Sequence, residues 1–231
     1  MGWLATTLRL YASVAQRAAR ISLSNWPVLL SLFAYFAVMG AALPVAFVLG
    51  VLGGFLIGLV WAACIASFLY LVERLVRQER VSWQDFPQSF APYFSDVIGV
   101  LFVLWMVRTI LSLALLTNPQ ALLISAIVQL FVFVFFNAVP ELIYLGHHSS
   151  LDLLSESYRF VSENWIEWFP PTLVAGGVLY LLMGLPGDGL AALGRHGLVA
   201  LFLYFTMVLR GLLFEELEGS TRRSRAFRYR S

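Results

Sequence analysis

Residues 21–72 read ISLSNWPVLLSLFAYFAVMGAALPVAFVLGVLGGFLIGLVWAACIASFLYLV, with no Asp, Glu, Lys or Arg among them. As one helix these 52 residues (72 − 21 + 1) would run to about 80 Å, whereas a bilayer offers about 30 Å of hydrocarbon. Two membrane spans and a tight turn reconcile the lengths. Gly40 and Pro44 mark the turn, which predicts spans over about Trp26–Leu43 and Val48–Leu71.

Composition extends this reading to the whole chain. Of 231 residues, 60% are hydrophobic and 12% charged, with a mean hydropathy of +0.83. A soluble domain carries about 25% charge because its exterior must be polar, and no such exterior can be built here. Four further apolar runs are about Val97–Leu116 and Gln120–Leu142, joined by TNPQ, and about Pro170–Leu185 and Gly197–Phe214, joined by PGDGLAALGRH. The expected fold class is all-α: an integral membrane protein with about six transmembrane helices, forming one membrane domain over 1–218, followed by a basic tail over 219–231. A secretory signal is not expected, because Arg9, Arg17 and Arg20 follow Trp3-Leu4 and no small-residue cleavage site closes an apolar core. The lone Cys64 lies in an apolar run, so it reads as a buried thiol with no intrachain disulfide.

All fifteen basic residues are Arg, and their placement predicts orientation. Arg9, Arg17 and Arg20 precede span one, and Arg74, Arg77 and Arg80 follow span two. Arg159 lies between spans four and five, and Arg222, Arg223, Arg225, Arg228 and Arg230 fill the tail. The opposite loops hold only Arg195. Positive charge is retained on the cytoplasmic side, so both termini are expected in the cytoplasm of a bacterial inner-membrane protein. The tail arginines suit anionic headgroups; no specific nucleic-acid recognition accompanies them.

The connections have helical periodicity. In SSLDLLSESYRFVSE (149–163), Leu151, Leu154, Tyr158 and Val161 oppose Asp152, Ser155, Glu156, Arg159 and Glu163. Near the N-terminus Leu4, Leu8, Tyr11, Ala15 and Ala18 oppose Arg9, Ser13, Gln16, Arg17 and Arg20. Both read as amphipathic helices in the headgroup plane, with packing against the bundle as the alternative. Asn25, Asp96 and Asn164, good N-cap residues, precede spans one, three and five at spacings of 71 and 68 (96 − 25, 164 − 96). Ser82 and Asp85 recur as Ser149 and Asp152, a near capping box. These offsets predict three helix-pair repeats, about 1–72, 73–145 and 146–218, each preceded by an amphipathic interfacial helix.

WQDFPQSFAPYF (83–94) and ELIYLGHHSSLDLLSESYRFVSENW (141–165) carry a resemblance to bacterial multi-span proteins related to the membrane domain fused to glycerophosphodiester phosphodiesterases. That group places a D-x-x-x-x-F piece and an amphipathic Ser-rich helix between hydrophobic pairs. The usual glycine after the second span is missing here, as is the soluble phosphodiesterase domain. The resemblance implies membrane-associated biology and assigns no chemistry.

Arg108 is the ionisable residue deepest in a span, and such groups face a bundle interior, a partner or a cavity because their burial in lipid is costly. It is expected as an anion-binding or structural intramembrane site. Arg210, Glu141 and Glu73 are expected to form ion pairs near the inner rim, with Pro140 freeing a carbonyl nearby. Gly50, Gly53, Gly54 and Gly58 line span two at the spacing of close helix contacts, and the Gly50/Gly54/Gly58 face is an expected partner contact. His147 and His148 are adjacent, so on a helix they point about 100° apart and do not share a metal with Glu141, Asp152 or Glu156. No H-E-x-x-H, G-x-S-x-G, phosphate loop or C-x-x-C is present. No catalytic, metal or cofactor site is therefore expected. The sequence favours a non-enzymatic membrane scaffold or accessory subunit, contacting lipids and other membrane subunits. The alternative is a small transporter or lipid-handling protein using Arg108 in an internal cavity.

Overall fold

The computed structural model describes residues 2–115, 120–146, 152–186 and 188–220, and every regular element among them is a helix, with no strand. In order, α1 is Gly2–Ser24, α2 Pro27–Leu49, α3 Val51–Gln78, α4 Asp85–Gln88 and α5 Phe94–Ala114. Then α6 is Ala121–Phe135, α7 Val139–Leu145, α8 Asp152–Met183 and α9 Leu190–Glu218. Six segments are long and apolar enough to cross a membrane: α2, α3, α5, α6 with α7, α8, and α9. The protein is a multi-pass membrane protein.

Several boundaries differ from those read in the sequence. The first turn is at Gly50, not at Gly40–Pro44. Pro44 lies inside α2, where an apolar helix in a membrane can accommodate one missing N–H. Gly50 takes φ +58°, a left-handed conformation that costs glycine nothing. The hairpin closes tightly enough that a Cβ on Gly53 would lie 1.8 Å from the Ala46 carbonyl oxygen. Spans five and six are longer than their apolar runs: α8 has 32 residues and α9 has 29. The amphipathic stretch after Asp152 is the first part of α8, so Asn164 lies mid-helix and caps nothing. The N-cap of α5 is Tyr93, and Asp96 sits in the first turn.

Contacts divide the chain into two compact units, Met1–Val38 with Leu71–Asp85 and Asn164–Ser231, and Met39–Tyr70 with Phe86–Glu163. In the first unit α1 packs along α9. The stripe α1 buries is Leu10, Val14, Ala18 and Ile21, while Leu8 is 65% exposed, so the packed face is rotated from the one predicted. Asn25, at the α1–α2 junction, is a lock rather than a cap. Its amide nitrogen donates to the Ile21 and Glu79 carbonyls, both at 2.9 Å, and its Oδ1 accepts the Val81 N–H at 3.1 Å. From α9, the Tyr204 hydroxyl donates to the Asn25 carbonyl at 3.1 Å, satisfying an acceptor at the end of α1.

In the second unit Pro140 splits the fourth span. The Val139 N–H turns to the Phe136 carbonyl, which leaves the Phe135 carbonyl without its helical donor. The Ser157 hydroxyl of α8 fills that place at 2.7 Å. Ser157 is fully buried, as are Leu153 and Val161, whereas Tyr158 is 51% exposed. Ser82 and Asp85 do form half of a capping box: the Ser82 N–H donates to the Asp85 carboxylate at 2.7 Å, and Arg74 lies 3.7 Å from that group.

Candidate functional site: an intramembrane arginine groove

Two polar clusters interrupt the apolar spans, one in each unit. In the first, Arg210 of α9 lies with its guanidinium 4.7 Å from the centre of the Trp168 ring and donates to the Thr172 hydroxyl at 3.3 Å. Trp168 is fully buried and meets Phe214 edge-on at 6.2 Å. Cation–π attraction in a desolvated setting is worth about 2 kcal/mol. The prolines Pro170 and Pro171 explain the remaining members. Pro171 cannot donate to the Glu167 carbonyl, and the Tyr11 hydroxyl of α1 does so at 2.8 Å. The Thr172 hydroxyl in turn donates to the Trp168 carbonyl at 3.0 Å. Burial and the neighbouring Glu167 charge push the Tyr11 phenol up to about 12. Tyr11, Thr172, Trp168 and Arg210 tie α1, α8 and α9 together, so the cluster reads as helix-joining.

Of the other residues expected at the inner rim, Glu73 takes Arg77 at 3.5 Å one turn along α3. Glu141 is fully buried on α7. Arg17 and Arg20 share Glu79, at 2.9 and 3.9 Å. Arg195 donates to the Leu185 carbonyl at 3.0 Å, closing the α8–α9 connection. Glu156 pairs with Arg159 at 2.6 Å. His147, His148, Leu151 and the tail arginines Arg222, Arg223, Arg225, Arg228 and Arg230 lie outside the described residues. Among the described residues no group of three His, Cys, Asp or Glu side chains is placed to hold a metal ion.

Arg108 is different. It is exposed on α5, and no hydrogen bond, ion pair or ring contact joins it to another described residue. It lines an open groove of about 960 Å³ between α5 and α6, near the upper end of ligand-pocket volumes. Ser112, one turn further along α5, and Ser125 and Gln129 of α6 complete a polar band within otherwise apolar walls. The Gln129 amide donates to the Ser125 hydroxyl at 2.8 Å, which leaves the Ser125 O–H able to donate outward. Sequence reading singled out Arg108 and missed the other three. Their signal was present: 108 and 112, and 125 and 129, are i, i+4 pairs, which places each pair on one helix face.

A second pocket, about 310 Å³ and mainly apolar, adjoins the groove and shares the walls Leu104, Val132 and Phe133 with it. Ile65, Leu69 and Val100 also line it. Compared with known family models, curated proteins and solved structures, the chain matches none.

Proposed function

We propose that this protein is a non-enzymatic scaffold or accessory subunit of the bacterial inner membrane, with both termini cytoplasmic. The observation that carries the reading is how little of its spans the chain itself covers. Only 6% of the apolar window of α2, and 6% of that of α5, is buried. A helix deep in a self-sufficient bundle buries its contact stripe fully; along most of their length these two only half-bury theirs, at Leu32, Tyr35, Met39 and Ala42 of α2 and at Leu101, Leu104 and Leu111 of α5, and leave the rest to lipid or to other spans. Helix association in lipid relies largely on packing, and α5 exposes Phe102, Met106 and Leu113 for it. The likeness of residues 83–94 and 141–165 to multi-span phosphodiesterase membrane domains accords with a membrane-bound role. The lipid-handling alternative draws its support from the same groove, which is open at its side rather than enclosed as a permeation path would be.

In-membrane crosslinking followed by mild-detergent purification tests the proposal. A stoichiometric membrane partner contacting α2 or α5 is the expected product, and a monodisperse protein that crosslinks to nothing sinks the reading. Orientation is checked in a Cys64→Ala background. A thiol reagent that does not cross membranes should label Asp188→Cys in intact cells, and Ala12→Cys only after permeabilisation.

A further inference from the structure

We infer that the α5–α6 groove and its adjoining pocket bind one anionic membrane lipid, with the acidic headgroup at Arg108 and an acyl chain in the pocket. The inference goes beyond the subunit reading and leaves a partner span the rest of α5 and α2, not the groove.

Charge is the first argument. Arg108 lies six residues from the end of α5 at Ala114, or about 9 Å along the axis, so it is inside the hydrocarbon but within side-chain reach of the headgroup region. A charge there costs several kcal/mol unless an anion or water meets it, and guanidinium does not escape by losing its proton. The helices that form the groove supply no anion beside it. Neither α2 nor α6 has an acidic residue, and the one in α5 is Asp96, twelve positions away. A second copy docked on the same face would bring another Arg108, and like charges repel.

Shape is the second argument, and it separates a lipid from an acidic partner helix. A helix with side chains is about 10 Å across, so one lying in the groove would leave the adjoining 310 Å³ pocket unfilled. An acyl chain fits such a pocket, whose walls are apolar, Leu104, Val132 and Phe133 among them, with Asn137 the one polar side chain in its lining. The polar band supplies the rest of a headgroup site. Arginine meets a phosphodiester through parallel N–H donors, and Ser125 provides a hydroxyl for a remaining phosphate or ester oxygen, while the Ser112 O–H donates to the Thr109 carbonyl at 2.8 Å.

The test uses the full-length protein in mixed micelles of equimolar phosphatidylglycerol and phosphatidylcholine, read by native mass spectrometry. Wild type should retain phosphatidylglycerol about tenfold over phosphatidylcholine, the ratio for one charge-assisted contact. Arg108→Gln should bring the ratio close to one, and Arg108→Lys should keep a preference for the anionic lipid. Leu104→Trp, at the shared wall, should lower retention of both lipids while leaving their ratio intact. An unchanged ratio in Arg108→Gln, at unaltered helix content, would overturn the inference. So would displacement of the lipid by millimolar inorganic phosphate, which would mark a soluble-anion site. A photocrosslinker at Leu122 that captures a protein span instead of a lipid would overturn it as well.

Discussion

Tyr11 and Glu79 show how single side chains compensate for backbone the helices cannot satisfy. The Tyr11 hydroxyl stands where the N–H of Pro171 is missing, so Tyr11→Phe should cost about 1 kcal/mol, read from unfolding in mixed detergent. The phenol also titrates later than an ordinary tyrosine. Its folded value of about 12 lies above the free value near 10, so the folded state favours the neutral form. That contribution is whole below about pH 10 and is lost as pH rises through about 12. An alkaline unfolding component present in wild type and missing in Tyr11→Phe would confirm it. Glu79, directly after α3, has φ 56°, unusual for a residue with a Cβ. It is held there by Arg17, Arg20 and the Asn25 amide. Glu79→Ala should therefore destabilise, whereas Glu79→Gly should stay within about 1 kcal/mol of wild type, since glycine removes the strain as the partly exposed ion pair is lost.

Helix hairpins are the level at which the sequence was most and least readable. The charge-free run at 21–72 demanded two spans, and two spans are there. Their turn was misplaced because Pro44 reads as a breaker in water, while an apolar helix in lipid runs through it. Glycine spacing was similarly ambiguous. A small-residue stripe cannot say which member touches backbone; in the structure it is Gly53, while Gly54 and Gly58 meet nothing within 4 Å. Gly53→Ala should accordingly impair membrane abundance severely, with Gly54→Ala and Gly58→Ala near wild type by quantitative immunoblot. Equal damage from all three would mean that the α2–α3 contact is misjudged. The same limit hid Ser125 and Gln129. Pairing α5 with α6 reveals their shared groove, and hydropathy along one helix does not.

At the scale of the molecule, Asn25 binds distant stretches of the first unit by joining the α1–α2 junction to the chain following α3. Asn25→Ala removes three buried or half-buried hydrogen bonds and should lower stability by about 2–4 kcal/mol, measurable by titration with sodium dodecyl sulfate. Asparagine was visible in the sequence as a helix-start signal, but its real partners, more than fifty residues away, were not. The bond from Ser157 to the Phe135 carbonyl carries a temporal implication. Ribosomes make this chain from its N-terminus, so the fourth span is complete before its proline break has any hydroxyl to turn to. Nascent chains halted between residues 146 and 156 keep an open acceptor in lipid, and they should be cleared by membrane proteases faster than chains released just beyond Ser157.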